Sequence, residues 1–205
     1  SMNAFPQDIF TEPQGYSVNT LDNLGPLTGL AGIWEGIRGM DVKPKAEGPK
    51  QQAYVERIEL QPIDPQTNGP QLFYGLRYHT HITKPDQVKM YHDQVGYWLW
   101  EPSTGAIIHT LTIPRGMITM ATGIASANAT QFECVAKIDN PTAGISSSPF
   151  LDYAFKTIEY FQAFGFADSE YARDFINTGK IFIFKFAIKM RDLRLYSFFN
   201  IAQAF

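Results

Sequence analysis

The stretch LGPLTGLAGIWEG, Leu24 to Gly36, leads from turn-forming Gly and Pro into a Gly-x-Trp triplet, Gly32-Ile33-Trp34. A triplet of this kind opening a run of alternating strands is a common start for small antiparallel barrels with an apolar interior. The small residue lets the first strand bend, and Trp34 is placed to plug one end. From Ile33 to Ile138 the side chains alternate with period two, interrupted by Pro and Gly clusters at 44–49, 62–70, 102–105 and 114–116. That pattern predicts antiparallel strands joined by turns. Residues 1–23 hold Pro6, Pro13 and Gly15 without any period, so they read as an irregular arm ahead of one domain over 24–205.

Composition narrows what such a domain does. Hydrophobic residues make up 44% of the 205 and charged residues 18%, with 16 Phe, 10 Tyr and 3 Trp. This is enough apolar material for a large core or a lined cavity. A net charge of −3 with no basic run argues against a nucleic-acid partner, because phosphate binding needs clustered Lys and Arg. One cysteine, Cys134, rules out an intrachain disulfide and fits a reducing compartment. No apolar run approaches the roughly 20 residues of a membrane span, and the polar start does not read as a signal peptide. The expectation is a cytoplasmic protein.

Phasing the strands sorts side chains by face. In 54–60, Tyr54, Glu56, Ile58 and Leu60 share a side; in 72–82, Leu72, Tyr74, Leu76, Tyr78 and Ile82 do. In 88–100, Val88, Met90, His92, Gln94, Gly96, Trp98 and Trp100 fall together, and in 131–138 Phe132, Cys134, Ala136 and Ile138 face inward. Two of these inner faces carry an isolated polar group, Glu56 or His92, among apolar ones. A dry core rarely tolerates this, whereas a ligand cavity often does. If 102–105 is the hairpin loop, Trp98 lies opposite His109 and His92 opposite Arg115.

The predicted site therefore comprises Trp34, Tyr54, Glu56, Tyr74, Met90, His92, Trp98, His109 and Arg115. Each has a plainer alternative. His92 could be a buried histidine satisfied by Glu56, Tyr54 and Glu56 could simply tie strands together, and Arg115 could be a turn residue. A one-residue slip would turn His109 outward. His79 and His81 fall on the outer face, where no Cys, Asp or Glu at ligand spacing in the sequence completes a metal site. Cys134 without a basic neighbour reads as inert.

Past Ile138 the rhythm changes. Ser148 suits an N-cap, Pro149 the first helical position and Gly165 the stop. With Leu151, Ala154, Phe155, Ile158 and Phe161 at helical spacing, this predicts an amphipathic helix over 149–164. A strand near 170–176, a turn at 177–180, a strand over 181–190, a turn at Arg191-Asp192 and a last strand from Leu193 follow. Phe198, Phe199 and Phe205 are too apolar to be left in water. The fold class is all-β: a closed antiparallel up-and-down barrel of about ten strands with one helix inserted.

Four strings in order, LGPLTGLAGIWEG (24–36), YVERIEL (54–60), HDQVGYW (92–98) and IPRG (113–116), resemble the nitrobindin group of haem-binding barrels. That group's fold is similar to that of the fatty-acid-binding proteins in the calycin class. The resemblance covers 24–138 well. It implies a barrel with a cavity, and it places His92, four residues before Gly96-Tyr97-Trp98, over a haem on the side away from the iron ligand. The family's iron-ligating histidine lies near the C-terminus, and no histidine follows His109 here. Tyr196 stands near the equivalent position. The cofactor is thus left open: haem is implied by the family, but its axial histidine is absent. The residues favour non-enzymatic binding of a small apolar or amphipathic ligand resembling a lipid or fatty acid, with His92, Glu56 and Arg115 near its polar head. The alternative is a haem protein with nitric-oxide or peroxynitrite chemistry.

Overall fold

The computed structural model describes residues 5–43, 45–166, 181–190 and 193–204. Between Ile33 and Ile138 the period-two alternation becomes a run of strands. The strands are β1 (Gly32–Lys43), β2 (Lys50–Pro62), β3 (Gln66–Asn68), β4 (Gln71–Thr83), β5 (Met90–Trp100) and β6 (Ala106–Ile113). They continue as β7 (Met117–Ile124), β8 (Gln131–Lys137), β9 (Ile145–Ser147), β10 (Thr157–Phe166), β11 (Ile181–Met190) and β12 (Leu193–Ala204), with one short helix, α1 (Pro149–Ala154). All pairings are antiparallel. Neighbours run β2-β1-β12-β11-β10-β8-β7-β6-β5-β4-β3, and β2 also pairs with β4. The sheet curls until the first strand lies beside the last, with Trp34 opposite Ala204.

Curling depends on local departures from regular pairing. In β1 the register slips between Gly36 and Gly39 against β2 and between Glu35 and Met40 against β12, so two residues, Ile37 and Arg38, stand against Val55 alone. That is a bulge, which bends the strand and raises its twist. Gly39 completes the bend, since a Cβ there would overlap the ring of Tyr54, its partner on β2. Between β5 and β6, Gly105 takes the left-handed conformation at φ +74°, and Glu101 N–H donates to Ala106 O at 2.9 Å.

The inner face is the core. Leu76, Ile107, Leu111, Cys134 and Tyr160 are wholly or almost wholly buried, and Leu24, Leu27 and Leu30 from the segment before β1 join them around Trp34. Each such apolar side chain contributes about 1.5–3 kcal/mol by leaving water. The segment 5–19 contains neither helix nor strand. Among the described residues, no helix is long and apolar enough to cross a membrane.

One expected element is corrected. The helix starts as predicted, with Ser148 at the N-cap and Pro149 first. It ends at Ala154, and Thr157–Phe166 is a strand, not the helix's second half. Helical spacing of apolar residues coexists there with a period-two set, Tyr160, Gln162 and Phe164, all buried. The competing demand is tertiary: β8 needs a second neighbour, and β10 supplies a ladder from Glu159–Lys137 to Gly165–Gln131. Strand-favouring Thr157, Ile158, Tyr160 and Phe161 make the switch inexpensive. The strands at 181–190 and from Leu193 lie where predicted. The expected strand near 170–176, the turns at 177–180 and 191–192, Phe205, and the side chains of Tyr196, Phe198 and Phe199 fall outside what is described.

Candidate functional site

Inside the curl, β2 turns Tyr54, Glu56 and Ile58 toward a cavity. Facing them are Tyr78, Thr80 and Ile82 of β4 and His92, Gln94 and Trp98 of β5. His109 of β6 and Gln162 and Phe164 of β10 close the far wall. The space open to the centre of a water molecule is about 50 Å³. Among the polar groups in the walls, Tyr78, His92, Gln94, His109 and Gln162 are joined by hydrogen bonds, with Tyr160 between the last two.

That pairing forms a chain. Gln94 Nε2 donates to the Tyr78 hydroxyl at 2.6 Å, so the Tyr78 hydrogen points to His109 Nε2, 2.7 Å away. Tyr160 donates to Gln162 Oε1 at 2.6 Å, and its oxygen therefore accepts from His109 Nδ1 at 3.4 Å. His92 Nε2 meets Gln94 Oε1 at 3.3 Å. The amide orientations of Gln94 and Gln162 set this direction, and with it the Nδ1–H tautomer of His109. Reversing both amides would reverse the chain and still leave both ring nitrogens of His109 engaged.

His109 is fully buried and stacks on Trp98, with centroids 3.7 Å apart and planes 10° from parallel. Burial holds its pKa well below the usual imidazole range. His92 is half-buried at the other end of the chain. Burial lowers its pKa first, Gln94 partly offsets that, and the Arg115 charge lowers it further. Burial also pushes the phenols of Tyr54, Tyr78 and Tyr160 up and the Cys134 thiol up to about 12. Cys134 is thus a protonated core residue, as expected.

Five predicted residues meet at the cavity: Tyr54, Glu56, His92, Trp98 and His109. The hairpin arithmetic holds for Trp98 opposite His109, while the β5–β6 pairing stops at Val95–Thr112, short of His92 and Arg115. The other four do not line it. Trp34 is buried, donating Nε1–H to Leu30 O at 2.8 Å within the leucine cluster before β1. Tyr74 is buried too, but its hydroxyl holds the N-terminal arm through Ser17 O at 2.8 Å. Met90 is 49% exposed. Its inward parity is lost because β5 slips register between Ile82–His92 and Thr83–Met90, which inserts Tyr91 as an extra residue. Arg115 is exposed in the turn after β6 and donates to Tyr91 O at 3.1 Å, so it behaves as the turn residue of the plainer reading.

Sequence reasoning missed Tyr160 and Gln162 by assigning them to a helix; their signal was the period-two set ending at Phe164. It also missed Asp41, 3% exposed on β1, which accepts a hydrogen bond from Tyr91. Burial raises the Asp41 carboxyl, and the Tyr91 hydrogen bond pulls it partly back.

A haem requires an axial donor and room for a macrocycle. His79 and His81 lie on the outer face, and both nitrogens of His109 are occupied behind Trp98. Of the four histidines, His92 and His109 line the cavity, and His92 is the more exposed of the two. About 50 Å³ does not enclose a porphyrin, so the described residues, as placed, do not fit haem inside the curl.

An antiparallel sheet curled around a small cavity with an inward histidine places the chain in the β-barrel class. Residues 23–174 match the THAP4-like, heme-binding beta-barrel domain, and the chain belongs to that family. Among solved structures, Rv2717c from M. tuberculosis is similar, with a TM-score of 0.60 at 16% identity over 91% of this chain and 98% of that one. This likeness concerns the fold. A beta-barrel-like protein of domain of unknown function DUF1849 from Brucella abortus overlaps 85% of this chain and 97% of its own at 8% identity. Its TM-score of 0.25 is too low to inform the architecture. No curated protein matches the sequence.

Proposed function

We propose that the protein is a non-enzymatic binder of a small apolar or amphipathic molecule. The circuit of pairings from β1 through β2, β4 and onward to β12 would act as a closed ten-stranded barrel wall around it. The supporting observation is that Glu56, His92 and Gln94 line one cavity together with the apolar surfaces of Ile58, Leu60, Ile82, Trp98 and Phe164. These three orient a polar group, while Trp98, Ile58 and Phe164 take apolar surface. Trp34 and the leucines around it form the plug at the closed end. At about 50 Å³ the interior has room for a few water-sized groups and not for a long acyl chain. A ligand of fatty-acid length therefore enters only by spreading the walls, or lies across the mouth with its head inside.

Membership of a family described as haem-binding favours a second reading, a porphyrin held at that mouth. One set of titrations separates the two. Native mass spectrometry of the protein as isolated, with thermal shifts against fatty acids of graded length and against ferric haem, should show a fatty-acid response that Glu56→Gln and His92→Ala weaken. A Soret band on haem addition that disappears in His92→Ala or Tyr196→Phe would replace the first reading with the second. Absence of any co-purified molecule and of any thermal shift would end both.

A further inference from the structure

On the outside of the curl, β4 and β5 carry a second group of side chains unconnected with the cavity. His79 and His81 are two residues apart in β4, so both project to the outer face. Asp93 is the register partner of His81 on β5. Its Oδ2 lies 2.8 Å from His79 Nε2 and 3.6 Å from His81 Nδ1. One donor atom from each of the three residues falls within 4.8 Å of the others.

We propose that His79, His81 and Asp93 bind one divalent transition-metal ion, with Zn²⁺ as the best match. Two imidazole nitrogens and one carboxylate oxygen form a borderline donor set, suited to Zn²⁺, Co²⁺, Ni²⁺ or Cu²⁺ and not to the all-oxygen preference of Ca²⁺ and Mg²⁺. Tetrahedral Zn²⁺ with bonds of about 2.0–2.2 Å places its donors roughly 3.3 Å apart. The two donor distances, 2.8 and 3.6 Å, bracket that spacing. The imidazole side chains are 45% and 40% exposed, so small rotations that close the third edge meet little packing.

Neighbouring charges permit a cation. Arg57 stands across from His81 on β2, but its guanidinium is held by Glu35 at 2.7 Å and Glu59 at 3.0 Å. Glu59 is itself the register partner of His79. Three protein donors leave a fourth position for water or for a donor from another molecule. A bound ion would staple β4 to β5 and stabilise the fold by mass action.

The test uses tag-free, metal-stripped protein titrated with Zn²⁺ by calorimetry and with Co²⁺ by visible absorption, and with Mg²⁺ in parallel. Expected are one Zn²⁺ per chain, a Co²⁺ d–d spectrum of a low-coordinate site, and a rise in Tm at saturating Zn²⁺. Asp93→Asn and His81→Gln should each weaken binding by about tenfold or more, and His79→Gln/His81→Gln should abolish both the spectrum and the Tm rise. Binding that survives the double variant, equal binding of Mg²⁺, or no binding below millimolar Zn²⁺ would overturn the proposal.

Discussion

His109 shows how much one interior side chain carries. Its ring accepts from Tyr78, donates to Tyr160 and stacks on Trp98. His109→Ala therefore removes packing and leaves two buried hydroxyls short of a partner, at a cost of about 3 kcal/mol. Its depressed pKa sets the sign of a pH effect. Below about 6.5 the unfolded imidazole takes a proton that the folded one refuses, so its contribution to stability falls as pH falls through that value. Chemical denaturation of wild type and His109→Ala at pH 8 and pH 5.5 should show the gap between them narrowing on acidification. Parity sufficed to place Tyr54, Glu56, His92 and Trp98, because a period of two admits only two faces, and the hairpin register added His109. It misplaced Met90 because a single extra residue, Tyr91, flips every side chain before it. It could not find Asp93 beside His79 and His81, because that proximity belongs to cross-strand register.

Elements in this protein answer to their neighbours as much as to their own composition. Pro149 starts a helix where the sequence places it, although Ser148 makes no side-chain cap and its hydroxyl turns to Arg115 O instead. The helix gives way to β10 because Tyr160, Gln162 and Phe164 can be buried in the core only if the chain is extended beside β8. Hairpins are more local, and the β5–β6 turn was legible from Pro102 to Gly105. Gly96 marks another constraint on β5: a Cβ there would collide with the carbonyl oxygen of Thr110 on β6. Backbone, not a flexible side chain, is in the way. Gly96→Ala should cost roughly 2 kcal/mol or more, read as a lower denaturation midpoint, and should disturb the Trp98–His109 stack two residues on, read in tryptophan fluorescence.

For the whole molecule, the pairing of β1 with β12 joins residues nearly the full chain apart. Deleting 193–205 would leave β1 and β11 with unpaired edges along apolar strands. The truncated chain should elute as aggregate in size-exclusion chromatography and lose the near-ultraviolet circular dichroism of its packed aromatics. The sequence by itself determined that the chain is an antiparallel β protein, which residues of each regular strand face inward, where most turns fall, and that an imidazole and a carboxylate enter an apolar interior. These follow from alternation, Pro and Gly, and the cost of burying charge, all of which act over a few residues. Only the tertiary structure decided that 157–166 is a strand, that Met90 and Arg115 lie outside, that Tyr160 and Gln162 complete the polar chain, and that the cavity is small. Those outcomes depend on which strand lies beside which, and a slip of one residue in that contact reverses them.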